Sequence, residues 1–167
     1  MNILFLMGNA HNGINHEEYP LYLSEIDEKM ILETQIEYTG GIKPRNLLFC
    51  VKENEIKRFH VDSIIKQIEP EALIIPIHAQ TKGAVCTALL GVKYIDNERE
   101  LLLMAIDDFI ESDGLEIISE FQKDGVDAGV VSFKSVHPRY SFVKVNEEGA
   151  PVEFAEKRPI SKNALVS

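Results

Sequence analysis

The sequence predicts an α/β protein with a mostly parallel central sheet, covered by helices on both faces, and an antiparallel hairpin at its C-terminal end. The main observation is that short apolar runs, typical of fully buried strands, alternate with helical segments. The second is that apolar and polar residues alternate on both sides of Glu148-Gly149, which is typical of two strands joined by a tight turn. The predicted parallel strands are residues 3–7, 46–51, 72–77 and 101–106.

The helical segments are indicated by apolar residues spaced three and four apart, which places them on one face of a helix. They cover residues 30–39, 55–67, 83–94 and 114–124, and residues 128–133 are predicted to form a further strand. Gly40 and Gly41 follow the first of these helices, where glycine suits a helix end. We expect Cys86, in the third helix, to be a small buried apolar residue.

Composition limits the class of protein. The chain has 167 residues, 45% of them hydrophobic, which suffices for one sizeable core, so we expect a single domain over residues 1–167. The net charge of -10, without a basic stripe, argues against a nucleic-acid partner. Two distant cysteines without a CxxC motif argue against disulfides and zinc, so we expect a reducing, cytoplasmic setting. No apolar run approaches the length of a membrane span, so we expect no membrane partner.

Polar residues follow several of the predicted strands. In an open parallel sheet the ligand lies beyond the carboxyl ends of the strands, where the strand order reverses. Gly8 follows the first strand, His78 follows the third, and Asp107 and Asp108 follow the fourth. We therefore expect these residues to surround one crevice.

The aspartate pair predicts a magnesium site. Magnesium prefers oxygen ligands and usually bridges a protein carboxylate to substrate phosphates. The alternative from position alone is that Asp107 or Asp108 caps the helix that follows.

The stretch HAQTKGAVCTALLG leads from the third strand into a helix whose first turn contains Gly83. Small residues there allow a base or a phosphate to approach the backbone. The alternative is close packing of the helix on the sheet, which also favours glycine and alanine.

Near the C-terminal end of the chain, Glu156 and Lys157 close the predicted hairpin. That lysine is either a phosphate contact or a solvated surface residue.

Together these segments resemble the nucleotidyltransferases of the sugar-phosphate pyrophosphorylase type, in particular a bacterial subgroup that serves surface-polysaccharide biosynthesis. The resemblance covers nearly the whole chain and is most specific over residues 81–161. RYSFVKVNEEG and AEKRP are similar to the family elements RYGxVxxDxxG and EKP. Metal-dependent glycosyltransferases, which have a similar architecture, lack these elements.

The resemblance implies a Rossmann-like α/β/α sandwich of the nucleotide-diphospho-sugar transferase type. It implies a reaction in which a phosphorylated small molecule, such as a sugar phosphate, attacks the α-phosphorus of a nucleoside triphosphate and releases pyrophosphate. Asp107 matches the Mg²⁺-binding aspartate and Asp108 is its neighbour, while Glu156 and Lys157 match the pair that meets the acceptor substrate. The residues implied in nucleotide binding are Gly8, Asn9, His78, Thr81 and Gly83. A homo-oligomer is a further expectation.

Two departures from the family concern the first loop and the C-terminus. The family loop carries an arginine and, after a proline, a lysine for the triphosphate; here the arginine is missing and Leu21 follows Pro20. The family also continues beyond the position of Ala164, so we expect the domain to be shortened there. Two alternatives to the nucleotidyltransferase stay open: a non-catalytic nucleotide- or sugar-binding module of the same fold, and a glycosyltransferase-like domain.

Overall fold

A computed structural model describes residues 1–8, 19–43 and 45–166, apart from the side chain of Asp124. The chain divides into two compact units, Met1–Leu115 and Glu116–Ser167. The strands are β1 (Asn2–Leu6), β2 (Glu25–Ile26), β3 (Lys29–Met30), β4 (Asn46–Lys52), β5 (Leu73–Ile77), β6 (Leu101–Ala105), β7 (Ser132–Lys134), β8 (Phe142–Val145), β9 (Pro151–Ala155) and β10 (Asn163–Leu165). The helices are α1 (Ile31–Tyr38), α2 (Glu53–Phe59), α3 (Val61–Ile68), α4 (Ala84–Ala88) and α5 (Gly114–Asp124), with 3-10 turns at Leu21–Leu23 and Leu89–Tyr94.

The first unit is built on a parallel four-stranded sheet in the order β5-β4-β1-β6. Its central strands are buried on both faces, which explains why they are almost continuously apolar. On one face Phe5 and Phe49 stack with ring centroids 4.8 Å apart. On the other face Leu48 and Cys50 belong to a buried cluster with Ile75, Ile77 and Ala88. The predicted parallel sheet is confirmed, with strand limits within one residue of those expected.

Two predicted helices are interrupted. The helix expected over residues 55–67 is divided into α2 and α3, because His60 takes the left-handed conformation with φ of 53°. The helix expected over residues 83–94 is the short α4 followed by a 3-10 turn. The prediction that Cys86 is buried is wrong: α4 turns Thr87 and Ala88 toward the sheet, which leaves Cys86 exposed.

The second unit contains an antiparallel sheet in the order β7-β10-β8-β9. Its β8–β9 pair is the predicted hairpin, and Gly149 in the connecting turn has φ of 84°, a value that favours glycine. The strand expected over residues 128–133 is the short β7, and β10 was not predicted. Phe142, Val143 and Ala164 are its buried apolar side chains among the described residues.

No helix in the described part of the chain has both the length and the apolar character needed to cross a membrane.

Candidate functional site

The strand order reverses at β1, which has β4 on one side and β6 on the other. Leu6 pairs with Cys50 in β4 and with Ala105 in β6. Hydrogen bonds continue past these pairs, since Met7 donates to the Cys50 carbonyl (3.1 Å) and Ile106 donates to the Leu6 carbonyl (3.3 Å). Gly8 and Asp107 each follow the last β1–β6 pair by two residues, so both lie at the carboxyl edge where ligands bind in sheets of this kind.

Gly8 lies beside the first turn of α4. A Cβ atom built at Gly8 would be 3.4 Å from Cδ1 of Ile77 and 3.6 Å from Oγ1 of Thr87. The buried Thr87 hydroxyl lies 2.6 Å from that of Thr81 and donates to the carbonyl of Gly83 (3.2 Å). Thr87 thus connects three of the predicted nucleotide-binding residues: Gly8, Thr81 and Gly83. Thr87 was not among the predicted site residues, although a polar residue on the face of a helix that packs on a sheet is a signal that could have identified it.

Gly83 has backbone angles that a residue with a side chain rarely adopts, φ 150° and ψ 178°. A Cβ atom there would have no atom of the described residues within 4 Å. Among these residues, no neighbour fills the space on that side, so the packing alternative is not supported at Gly83. With respect to the described part of the chain, the backbone is accessible to a ligand group.

His78 lies directly after β5 and is exposed. Its Nδ1 is 3.3 Å from Oε2 of Glu53, in the first turn of α2, and Oε1 of Glu53 is 2.8 Å from Nζ of Lys57. Hydrogen bonds from Lys57 and His78 hold the pKa of the Glu53 carboxyl below its usual value. Among the described residues, His78 therefore has a side-chain contact with α2. Asn9 lies outside the described residues.

The aspartate pair occupies the turn that follows β6, with both side chains half-buried. The buried Gln35 of α1 donates to the Asp108 carbonyl at 2.6 Å and so anchors this turn. The capping alternative is wrong for both aspartates, since α5 begins at Gly114 and the carboxylate that accepts from its first turn, at Leu115 N (2.8 Å), is Asp113.

The donor set at this turn fits a magnesium ion that also binds substrate. Asp107 and Asp108 supply two carboxylates, and no group of three or more His, Cys, Asp or Glu side chains among the described residues is arranged to hold a metal. Magnesium commonly uses one or two protein carboxylates, with substrate phosphates and waters as its other ligands. A metal cage made of protein side chains alone is not what these residues provide.

A group of buried and partly buried polar residues lies near the carboxyl end of β4, in the same sheet. The Tyr22 hydroxyl donates to Oε2 of Glu55 at 2.6 Å, and both side chains are buried. Burial and the neighbouring carboxylate raise the pKa of Tyr22 well above its ordinary value. Nζ of Lys52 lies 3.5 Å from Oε1 of Glu55. Tyr22, Lys52 and Glu55 were not predicted as a group, because they come from two separate segments of the chain.

In the second unit, Glu156 and Lys157 follow β9 and are exposed. The Ser141 hydroxyl donates to Oε2 of Glu156 at 2.5 Å and so orients that carboxylate. Lys157 has a left-handed backbone, φ 50°, which is uncommon for a residue with a side chain. Its Nζ is 3.9 Å from Oε1 of Glu156. The hairpin therefore keeps the two predicted acceptor-binding side chains together.

Solved structures resemble this arrangement over the whole chain. A UDP-glucose pyrophosphorylase complexed with UDP-glucose has a TM-score of 0.75 at 14% identity, with coverage of 99% of this chain and 74% of that one. The nucleoside-diphosphate-sugar pyrophosphorylase from Vibrio cholerae RC9 gives 0.67 at 20% identity, with coverage of 99% and 70%. HddC from Yersinia pseudotuberculosis, complexed with GMP-PN, gives 0.70 at 16% identity, with coverage of 98% and 72%.

The chain has the nucleotide-sugar pyrophosphorylase fold. The fold expected from the resemblance is thereby confirmed. No protein-family model matches the sequence, and no curated protein matches it. Within the pyrophosphorylase fold, the first unit carries Gly8, Gly83 and the aspartate pair, and the second carries Glu156 and Lys157.

Proposed function

We propose that this protein is a Mg²⁺-dependent nucleotidyltransferase that joins a nucleoside triphosphate to a sugar phosphate, or to another phosphorylated small molecule, and releases pyrophosphate. The observation that carries the proposal is the carboxyl edge beside β1, where Gly8 and a pair of aspartates follow adjacent parallel strands. Of the structures with the same fold, the UDP-glucose pyrophosphorylase is complexed with UDP-glucose and HddC with GMP-PN, which supports a nucleotide or nucleotide sugar as the ligand.

The proposed roles follow from the chemistry of each group. Gly8 and Gly83 offer backbone without side chains to the nucleotide, with Asn9, His78 and Thr81 as further contacts. Asp107 and Asp108 would hold Mg²⁺, which when bound neutralises charge on the phosphate oxygens. Glu156 and Lys157 bind the acceptor phosphate and its sugar. Such a transfer depends on alignment and on charge neutralisation more than on a protein base.

The biological setting that we propose is the supply of activated sugars for a surface polysaccharide. It rests on the resemblance of residues 81–161 to the bacterial subgroup with that role.

A second candidate is a binding module of the same fold that does not catalyse transfer. The observation in its favour is Leu21, which stands where the resemblance implies a lysine and is 49% exposed at the start of a 3-10 turn. Positive charge at a phosphoryl-transfer centre is worth several orders of magnitude in rate in some enzymes. Loss of that lysine would therefore reduce turnover more than binding.

The deciding experiment measures pyrophosphate release. The protein is incubated with Mg²⁺, each common nucleoside triphosphate and a panel of sugar 1-phosphates. Release that requires one triphosphate and one sugar phosphate supports the enzyme. Calorimetric binding of a nucleotide without release in any combination supports the binding module instead. Transfer of sugar from a nucleotide sugar, without release, would support the glycosyltransferase alternative.

Two variants test the assigned roles. Asp107→Ala should abolish the Mg²⁺ dependence of nucleotide binding, whereas Asp127→Ala, an exposed aspartate of the second unit, should preserve it. Unchanged Mg²⁺ dependence in Asp107→Ala would remove Asp107 from the metal site.

Leu21→Lys should increase turnover if the missing lysine limits the rate. A wild-type rate in Leu21→Lys would show that position 21 lies away from the phosphates.

A further inference from the structure

We propose that Lys52 is the cation that binds the phosphate groups of the ligand at the carboxyl edge of the first unit's sheet. Lys52 is the last residue of β4 and pairs in register with Ile77, the last residue of β5. Leu6 pairs with Cys50, and the bond from Met7 to the Cys50 carbonyl continues this pairing. Extended by two residues, this register would place Lys52 opposite Gly8, at the strand spacing of about 4.8 Å.

The Cβ atom of Lys52 is on the face of the sheet that carries α4. Side chains alternate along a strand, so Cys50 and Lys52 belong to one face. Cys50 packs on that face with Ile77 and Ala88, and its Sγ donates to the Thr87 carbonyl at 3.6 Å. Gly8 approaches Ile77 and Thr87 on the same face. The Cβ atom of Lys52 is therefore on the same face of the sheet as Ile77 and Thr87, at the edge where Gly8 lies.

Among the described residues, the ion pair with Glu55 holds Lys52 in place through one of the three donors of its ammonium group. Its side chain is 24% exposed, and its Nζ lies 3.5 Å from Oε1 of Glu55. That distance is long for a charge-assisted hydrogen bond, and an ammonium group has three donors. The other oxygen of Glu55 accepts from Tyr22, which fixes the carboxylate. Glu55 and Tyr22 are thus positioning residues for a partly buried cation.

A cation at this place suits a polyphosphate. Partial burial lowers the local screening, so a lysine here interacts with an anion more strongly than a fully solvated lysine does. The carboxyl edge is where a sheet of this type binds its ligand. Lys52 would supply, from the sheet, positive charge that the first loop lacks at Leu21. The inference rests on the proposed function for the identity of the ligand as a nucleotide.

The test compares two variants with the same uncharged partner at position 55. Glu55→Gln keeps the Tyr22 contact and leaves Lys52 charged, and Lys52→Met/Glu55→Gln removes that charge without leaving a buried carboxylate unpaired. Calorimetry with Mg²⁺ measures the affinity of each variant for inorganic tripolyphosphate and for each nucleoside triphosphate. We expect the double variant to bind tripolyphosphate at least about tenfold more weakly than Glu55→Gln. Lys57→Met, which removes an exposed lysine of α2, should stay within about twofold of wild type.

Equal affinities for tripolyphosphate in the two Glu55 variants would overturn the assignment, as would a wild-type protein that binds neither tripolyphosphate nor any nucleoside triphosphate. The proposed enzymatic function and the Lys52 site can each fail without the other. Lys52-dependent binding without pyrophosphate release supports the Lys52 site and rejects the enzyme. Pyrophosphate release that is equally fast in both Glu55 variants supports the enzyme and rejects Lys52 as the phosphate contact.

Discussion

The two sheets of this protein support their candidate site residues in different ways. In the first unit, β1 and β4 are buried on both faces, and buried side chains such as Thr87 and Glu55 position the groups at the carboxyl edge. In the second unit the hairpin is largely exposed, with Phe154 56% exposed on β9, and Glu156 is oriented by one exposed hydrogen bond. Substitutions of buried residues at the carboxyl edge of the first sheet should therefore affect stability, whereas substitutions of exposed hairpin residues should affect the chemistry alone.

The largest expected effect tests this contrast with two phenylalanines. Phe49→Ala removes a fully buried ring that stacks on Phe5, and large cavities of this kind cost about 3–5 kcal/mol. Phe154→Ala removes a ring that is more than half exposed on β9, and we expect a loss below about 1 kcal/mol. Urea unfolding followed by circular dichroism measures both. Similar losses in the two variants would show that the hairpin contributes as much to stability as the parallel sheet.

The next effect concerns the backbone at Gly83. Gly83→Ala forces a side chain onto φ 150°, which costs about 1–3 kcal/mol although the Cβ atom meets no neighbour among the described residues. Ala84→Gly, one residue further on, is the control and should cost less than about 1 kcal/mol. The free energies of unfolding in urea give both numbers. A Gly83→Ala protein as stable as wild type would mean that this turn relaxes freely, and the carboxyl edge of the first sheet would then be no more rigid than the hairpin.

A smaller effect concerns the buried Tyr22 and depends on pH. The pKa of Tyr22 is raised in the folded state above its ordinary value of 10.0, so its contribution to stability is complete below about pH 10 and is lost as the pH rises beyond that. Between pH 9 and pH 11 the wild type should lose about 1 kcal/mol more stability than Tyr22→Phe.

The comparison with Tyr22→Phe isolates this one hydroxyl. Burial also raises the pKa of the Cys50 thiol, to about 11, but that thiol is present in both proteins and its contribution cancels. Urea unfolding at the two pH values gives the difference. Parallel losses in the two proteins would indicate that Tyr22 ionises in the folded state as it does in the unfolded chain.

The parallel sheet could be predicted from sequence because its strands are short apolar runs between helical segments. Strands buried on both faces carry that signal along their whole length, and their carboxyl ends identified Gly8 and Asp107. The division between α2 and α3 could not be predicted from sequence, since it depends on one left-handed residue, His60, inside a periodic apolar pattern. The three-residue β10 could also not be predicted from the local sequence, because it is defined by pairing with β7 and β8.

The candidate site was predicted only where its residues follow strands or match a motif. Thr87 and Lys52 were not predicted, because the role of each depends on a contact with a distant segment of the chain. Thr87 lies beside Gly8, and Lys52 contacts Glu55, which in turn binds Tyr22. The exposed position of Cys86 was missed for a related reason. In a helix as short as α4, the choice of buried face depends on which side chains meet the sheet, and here these are Thr87 and Ala88.

The smallest expected effect on stability is at Lys157, and it separates structure from chemistry. Lys157 and His60 both have left-handed backbones, with φ of 50° and 53°. Glycine adopts such angles without strain but loses more conformational freedom on folding, so Lys157→Gly and His60→Gly should each change stability by less than about 1 kcal/mol. Only Lys157→Gly should reduce pyrophosphate release, because it removes the proposed acceptor contact. Initial rates against sugar phosphate concentration measure this, and equal rates in the two variants would show that the Lys157 side chain has no part in the reaction.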